Sequence, residues 1–538
     1  DGDVRGSFHT LIDPRTGRAS ERWREGPFAL AAGFDGSTAW SRDRSGTTLV
    51  HDADHAKRVA VTDAWLERRG WCSPQQVATT PPIERSRGGR RFDVVVATPH
   101  GGVPVELWFD HATHLPDHAV TRRNENDLVV RYDDWRTVDG VVLPFVRTTT
   151  DPQDADTETV TLRTVNVGRP PAAAVAFAPP PTVRDVVMAR NARSTTVPIR
   201  FEGRKILVDV MLNGRGPFPF VLDTGGHFIV TPATLRKLGA HAAGNEAAIS
   251  ELRIGGATIR NNVAHVVPYS FGRLERGPRP PKAGWLGLEL FARFAAVIDP
   301  RTKTLTLTLP QWFTPPRIGT RSTLSFDEDA PLVPCRIDGF PGPCMIDTGN
   351  AGSTIVEGYW IRRSGRAPHF AGGLDAGDGV RLRRARIELG SLWLPHEIVA
   401  AFPQAVSGSE STTVEAAILS ESIHERFVTT IDFRHRAMWL APVAPASTIF
   451  NRTGLTFRKR RDGDLDVPFV YARSPGATAG IRAGDRVTAI DGRPASELSA
   501  ADALEANLAA VGTIRSYRVV RGNEPPRVVR VRLAELLP

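Results

Sequence analysis

The sequence predicts a mainly β chain in four parts, with the two middle parts copies of one another. Three observations predict it. Alternating apolar runs of strand length are set off by turn pairs such as Asn213-Gly214 and Asp338-Gly339. Proline-rich breaks punctuate the chain. One pattern of strands and turns also occurs twice in the same order. At about 150 residues per domain, 538 residues suggest three or four domains. The breaks lie at Gly168 to Pro181 (GRPPAAAVAFAPPP), Pro310 to Pro316 (PQWFTPP) and Pro442 to Pro445. The first is too proline-dense for a helix or a central strand and reads as a linker. The parts are therefore 1–168, 182–310, 317–442 and 450–538.

Composition narrows the function classes. The 41% apolar and 24% charged content is that of an ordinary folded protein. Net charge is +9, and of 68 basic residues only six are Lys, leaving 62 Arg. The arginines are scattered through every part without interleaved aromatics, so the charge does not mark a nucleic-acid surface. No apolar run approaches the ~20 residues of a membrane-spanning helix. Three cysteines, Cys72, Cys335 and Cys344, exclude a disulfide-dense scaffold and lack zinc-finger spacing. Cys335 and Cys344 flank a short turn, and two readings stay open for them: a disulfide, or two small buried hydrophobes.

The first part shows strand-length alternation at Val103 to Phe109 and Val160 to Leu162, with a turn at Asp139-Gly140. One helix is expected near Ala60 to Arg69, ending before Gly70. Six of the 11 tryptophans lie in this part: Trp23, Trp40, Trp65, Trp71, Trp108 and Trp135. They fill a core or line a concave apolar pocket. The stretches GFDGSTAW (Gly33 to Trp40) and YDDWRTVDGVVLP (Tyr132 to Pro144) resemble the curved-sheet domain of bacterial lipoprotein carriers. That resemblance implies a curved antiparallel sheet and supplies no catalytic motif.

The second and third parts repeat. ILVDVMLNGRGPFPFVLDTGG ends at Gly226, and PLVPCRIDGFPGPCMIDTGN ends at Asn350. Each is an apolar strand, a turn, and a second apolar strand ending in Asp-Thr-Gly. Downstream, WLGLELFARFAAVIDPRTKTLTL from Trp285 matches ILSESIHERFVTTIDFRHRAMWL from Ile418. The repeat implies two similar lobes.

The residue types say what such a pair could do. Apolar strands deliver Asp223 and Asp347 to buried strand ends, where desolvation perturbs a carboxyl. Gly225 and Gly349 permit a tight turn and close approach of a second backbone. Thr224 and Thr348 can hydrogen-bond across to the partner lobe. Two turns meeting at a pseudo-twofold axis would set the carboxylates side by side, sharing one proton. One would then deprotonate a water while the other polarises a carbonyl.

These residues resemble the retropepsin-type aspartic proteases in a fused, single-chain form, over about 250 residues. The resemblance implies Asp223 and Asp347 as a catalytic dyad, an intramolecular pseudo-dimer in a monomeric chain, a peptide or protein substrate, and no metal or organic cofactor. The sequence departs from the pattern at Ser420, which stands where the first copy has Gly287. It departs again after each turn, at Gly226 and Asn350. Between turn and downstream motif the second copy is nine residues longer, 73 against 64. The extra residues fall at Ala371 to Gly379, so a single long flap is expected there around Gly372, Gly373, Gly377 and Gly379. A plain surface loop is the alternative.

The last part reads GLTF at Gly454 to Phe457, then SPGATAGIRAGDRVTAIDGRPASEL from Ser474. It resembles a bacterial PDZ domain. The resemblance implies that Gly454, Leu455, Thr456 and Phe457 present consecutive N–H groups to a peptide's C-terminal carboxylate. A helix at Asp502 to Leu508 would line that groove. The alternative is a purely architectural module folded against the lobes.

Other chemistries fail on their motifs. His396-Glu397 and His424-Glu425 lack the second His of a zinc protease. No nucleophile elbow, phosphate-binding loop or dinucleotide fingerprint occurs. His227, beside the first Asp-Thr-Gly, reads as lobe packing, and Asn451-Arg452-Thr453 is a sequon without expected consequence. The expectation is an exported aspartic endopeptidase, periplasmic or outer-envelope associated, with any leader before Asp1 removed. Its rival is a non-catalytic peptide- or lipoprotein-binding scaffold that retains the fold.

Overall fold

The computed structural model describes residues 5–72, 77–151, 157–168, 177–202, 204–268, 282–403, 411–443 and 450–537. Residues 169–176 of the expected linker and 444–445 of the third break lie outside them. The chain is mainly β, 47% strand against 13% helix.

The N-terminal part builds two antiparallel sheets. Five strands from Gly6–Ile12 to Thr48–His51 pair in chain order. A second sheet runs from Val77–Thr79 to Thr157–Thr161, its long strands also pairing mostly with their chain neighbours. The helix spans Asp54–Glu67, starting six residues before the expected Ala60, with Asp54 complementing the positive end of the helix dipole. Trp65 and Leu66 on this helix pack against Ala97, Val105, Leu107 and Ala119 of the second sheet. Thr62 and Val103 exchange hydrogen bonds at 2.8 Å. Gly70 follows because a Cβ there would lie 2.1 Å from the Trp65 ring.

The two copies share one hydrophobic core. In each, a hairpin turns on residues of positive φ, Asn213-Gly214 and Asp338-Gly339, as tight antiparallel hairpins require. The hairpins are Ile206–Leu212 with Arg215–Leu222 and Ala330–Ile337 with Phe340–Ile346. The second strand of each then gains a parallel neighbour: Phe220–Leu222 pairs with Gly284–Leu286, and Cys344–Ile346 with Ala417–Leu419. A short strand, Ile229–Val230 or Thr354–Val356, closes against that neighbour from its other side.

The boundary read at Pro310 does not separate the sheets. Ala295–Asp299 of the first copy pairs antiparallel with Phe427–Asp432 of the second. At the centre Val297 faces Thr430, its own counterpart in the repeat, as a twofold axis through this pairing demands. Cys335 and Cys344 form a disulfide across the second hairpin, while Cys72 is an exposed thiol.

The C-terminal part has its own core around Leu455, Val487, Ile490, Tyr517 and Val519. Its helix is Ala500–Ala506, two residues ahead of the expected Asp502, because Ser499 and Asp502 form a reciprocal capping box that starts it there. This part packs on the second copy through Phe450, Phe469, Tyr471 and Leu537, which meet Leu382, Ile398 and Ala400.

Candidate active site

The two Asp-Thr-Gly turns meet. Thr224 donates its amide to Thr348 Oγ1 and Thr348 returns the same bond to Thr224 Oγ1, both at 3.1 Å. Each hydroxyl then donates across to the strand leading into the other turn, Thr224 to Ile346 O at 2.8 Å and Thr348 to Leu222 O at 2.9 Å. Both threonines are fully buried, so these four bonds form without competition from water.

This grip places each aspartate against the other turn's glycine. A Cβ on Gly349 would lie 2.6 Å from Asp223 Cγ, and one on Gly225 would lie 3.0 Å from Asp347 Cγ. Only glycine leaves room for the carboxyls here. Asp223 accepts from the Gly225 amide at 3.1 Å, and Asp347 from the amides of Gly349 at 2.7 Å and Asn350 at 3.1 Å. Burial pushes both carboxyls above the usual carboxylate range. Asp347 is pushed further by the charge of Asp223, whereas Lys205 and His227 favour the ionised form of Asp223. Both effects favour a pair that shares one proton.

The departures from symmetry have local causes. A Cβ at Gly287 would lie 1.9 Å from Gly226 O, so the first copy requires glycine there. In the second copy Ser420 adopts an extended backbone and bonds Ser422 Oγ at 2.6 Å, so its side chain is accommodated. The backbone link behind each turn is the same: Leu288 donates to Gly226 O and Glu421 to Asn350 O, both at 2.9 Å.

His227 packs between the copies, as expected, and does so as an ion pair. It contacts Glu289 of its own copy at 2.9 Å and Asp329 of the other at 3.0 Å. Desolvation works against its charge, but these hydrogen-bonded carboxylates outweigh it and push it up to about 11.

The sequence reading missed Glu421. It is fully buried directly behind the second turn, and neither carboxyl oxygen has a hydrogen-bond partner among the described residues. Burial, then Glu425 and Asp347, push it well above the carboxylate range and favour its neutral form. The signal was an acid standing where the first copy has Leu288.

The expected flap is held against the C-terminal part. Leu374–Asp375 pairs with the start of Arg381–Leu389, and Gly373, Gly377 and Gly379 take positive φ at its bends, whereas Gly372 does not. The position of a Gly377 Cβ lies 3.2 Å from the Phe469 ring, and Leu374, Ala376 and Val380 join the apolar seam with the C-terminal part. The hairpin forms, and its tip rests on that part.

Most N–H groups of the expected carboxylate loop bond within the C-terminal part. The Gly454 amide donates to Asn451 Oδ1 at 2.9 Å, that of Leu455 to Thr453 Oγ1 at 3.2 Å, and that of Thr456 to Phe469 O at 3.1 Å. Three of the four N–H groups assigned to a peptide carboxylate are thus already used. The cause is the sequon: buried Asn451 also accepts from the Thr453 amide and donates to Leu455 O at 2.7 Å. The strand after Phe457, Arg458–Lys459, is the outer edge of its sheet.

Residues 467–521 match the PDZ domain family. A comparison with curated proteins returns no match. Among solved structures the chain is similar to Basic 7S globulin from soybean, at 9% identity and a TM-score of 0.30, covering 48% of this chain and 100% of that one.

Proposed function

We propose that this chain is an aspartic endopeptidase of the retropepsin-like type, in which the two copies act as the lobes of an intramolecular pseudo-dimer. The observation that carries the reading is the placement of Asp223 and Asp347 on facing turns, each against the other's glycine. In this reading Asp223, ionised, takes a proton from a water as that water attacks the scissile carbonyl carbon. Asp347 gives its proton to the carbonyl oxygen, and the two exchange roles as the amine leaves. The chemistry calls on no cofactor. Hydrolysis of a peptide library across pH 3–7 tests it, and an inactive wild type overturns it.

One observation favours the scaffold reading: the hairpin expected to close over substrate leans on the PDZ domain. The PDZ domain takes a peptide partner in either reading. Export is proposed on the disulfide, which persists in oxidising compartments. The carrier-like reading of the N-terminal domain is supported by its meandering antiparallel sheets. Helix Asp54–Glu67 packs on one of those sheets.

A further inference from the structure

The N-terminal domain is fastened to both copies. On the first copy, buried Arg293 donates to Thr47 Oγ1 at 2.8 Å and to Ser45 O at 2.6 Å, while Asp185 fixes its guanidinium at 2.9 Å. Ser45 Oγ also accepts from the Val263 amide at 2.9 Å. On the second copy the fastening is Asn124, 3% exposed. Its Oδ1 accepts from the amides of Thr413 at 3.1 Å and Val414 at 3.2 Å, and its Nδ2 donates to Glu415 at 2.9 Å. Its own carbonyl accepts again from Thr413 at 2.9 Å. Every hydrogen-bonding group of this amide faces the 413–415 segment.

That segment leads straight to the second aspartate. Ala416 donates to Pro343 O at 2.7 Å, and Ala417–Leu419 pairs in parallel with Cys344–Ile346, the residues before Asp347. Beside it, Ala53 and Ala56 of the N-terminal domain pack with Val414, Leu332 and Met345. The Met345 methyl lies 2.7 Å from the position of a Gly225 Cβ, against the first turn.

We propose that the N-terminal domain is a strut that holds the two copies at the separation the Asp223–Asp347 pair needs. Asn124 is the positioning residue through which this hold reaches Asp347. The chemical part rests on the proposed peptidase function, and the mechanical part does not. A buried amide bonded at every group is costly to remove, because each former partner is left desolvated and unpaired.

The test compares wild type, Asn124→Ala and Asn124→Asp in the full chain. Asn124→Asp keeps the acceptor for Thr413 and Val414 but sets a second buried carboxyl against Glu415 in place of the donor, so it should loosen the same strands as Asn124→Ala. By hydrogen exchange, Asn124→Ala should expose the amides of Cys344–Ile346 and Ala417–Leu419 while Phe220–Leu222 stays protected. In peptide cleavage kcat should fall about tenfold with KM little changed, the effect of a displaced reacting group. The two limbs of the pH profile should also draw together as the carboxyls separate. Unchanged exchange in the second-copy strands, or equal loosening of both copies, would overturn the strut. If wild type cleaves nothing, the peptidase reading falls, and the exchange pattern still decides the strut.

Discussion

Thr224 and Thr348 hold each other by a matched pair of hydrogen bonds, amide to hydroxyl in both directions at 3.1 Å. The two residues are 124 positions apart in the chain, yet each completes the other's turn. Everything proposed for the aspartates depends on this contact.

Replacing either aspartate with Asn preserves its shape and fixes it as neutral, so the shared proton is lost. Asp223→Asn and Asp347→Asn should each cost at least ~10²-fold in peptide hydrolysis, with folding and PDZ binding unaffected. Full activity in either variant, measured against an active wild type, would refute the paired mechanism.

Thr348→Val removes a buried hydroxyl that accepts the Thr224 amide and donates to Leu222 O. Leaving those groups unpaired should cost about 1–3 kcal/mol in denaturant unfolding. Thr348→Ser keeps the hydroxyl and should recover most of that loss.

The turn glycines should respond unequally to alanine. At Gly349 the added Cβ meets the Asp223 carboxyl at 2.6 Å. At Gly225 its nearest contact is the flexible Met345 methyl at 2.7 Å. Gly349→Ala should therefore abolish cleavage, and Gly225→Ala should reduce it less. The reverse order in a cleavage assay contradicts the geometry.

Stability should fall as pH rises through neutrality. Burial raises Asp43, Glu328 and Glu415 each to about 7, so the native state binds protons that the unfolded chain has released. Their ionisation disfavours folding progressively from about pH 4 to 7. His227, raised to about 11, adds to the trend, since its stabilisation is full below its unfolded value near 6.5 and declines above it. Buried His424, lowered to about 4, opposes it below pH 6.5. A melting temperature higher at pH 5 than at pH 8 is expected, and a rise between them counts against these assignments.

A peptide adding to the Arg458–Lys459 edge of the C-terminal part should bind equally well as free acid or C-terminal amide. The reason is that the amides of Gly454, Leu455 and Thr456 are occupied within the domain. Calorimetry with the two forms tests this, and loss of binding on amidation would show that the loop opens to take a carboxylate.

The amino-acid sequence by itself determined the features that are local or repeated. Asn213-Gly214 and Asp338-Gly339 dictate their hairpins because few other pairs accept positive φ at both positions. The duplication dictated two like units and so pointed to Asp223 and Asp347 together. Tertiary structure alone decided which distant group fills each donor or covers each face. Nothing near Thr456 announces that Phe469 takes its amide, and nothing near Gly377 announces the Phe469 ring. Nothing near Asn124 announces that the 413–415 segment, nearly 300 positions away, closes over it. Such contacts join segments whose spacing leaves no periodicity, so they exist only once the chain has folded.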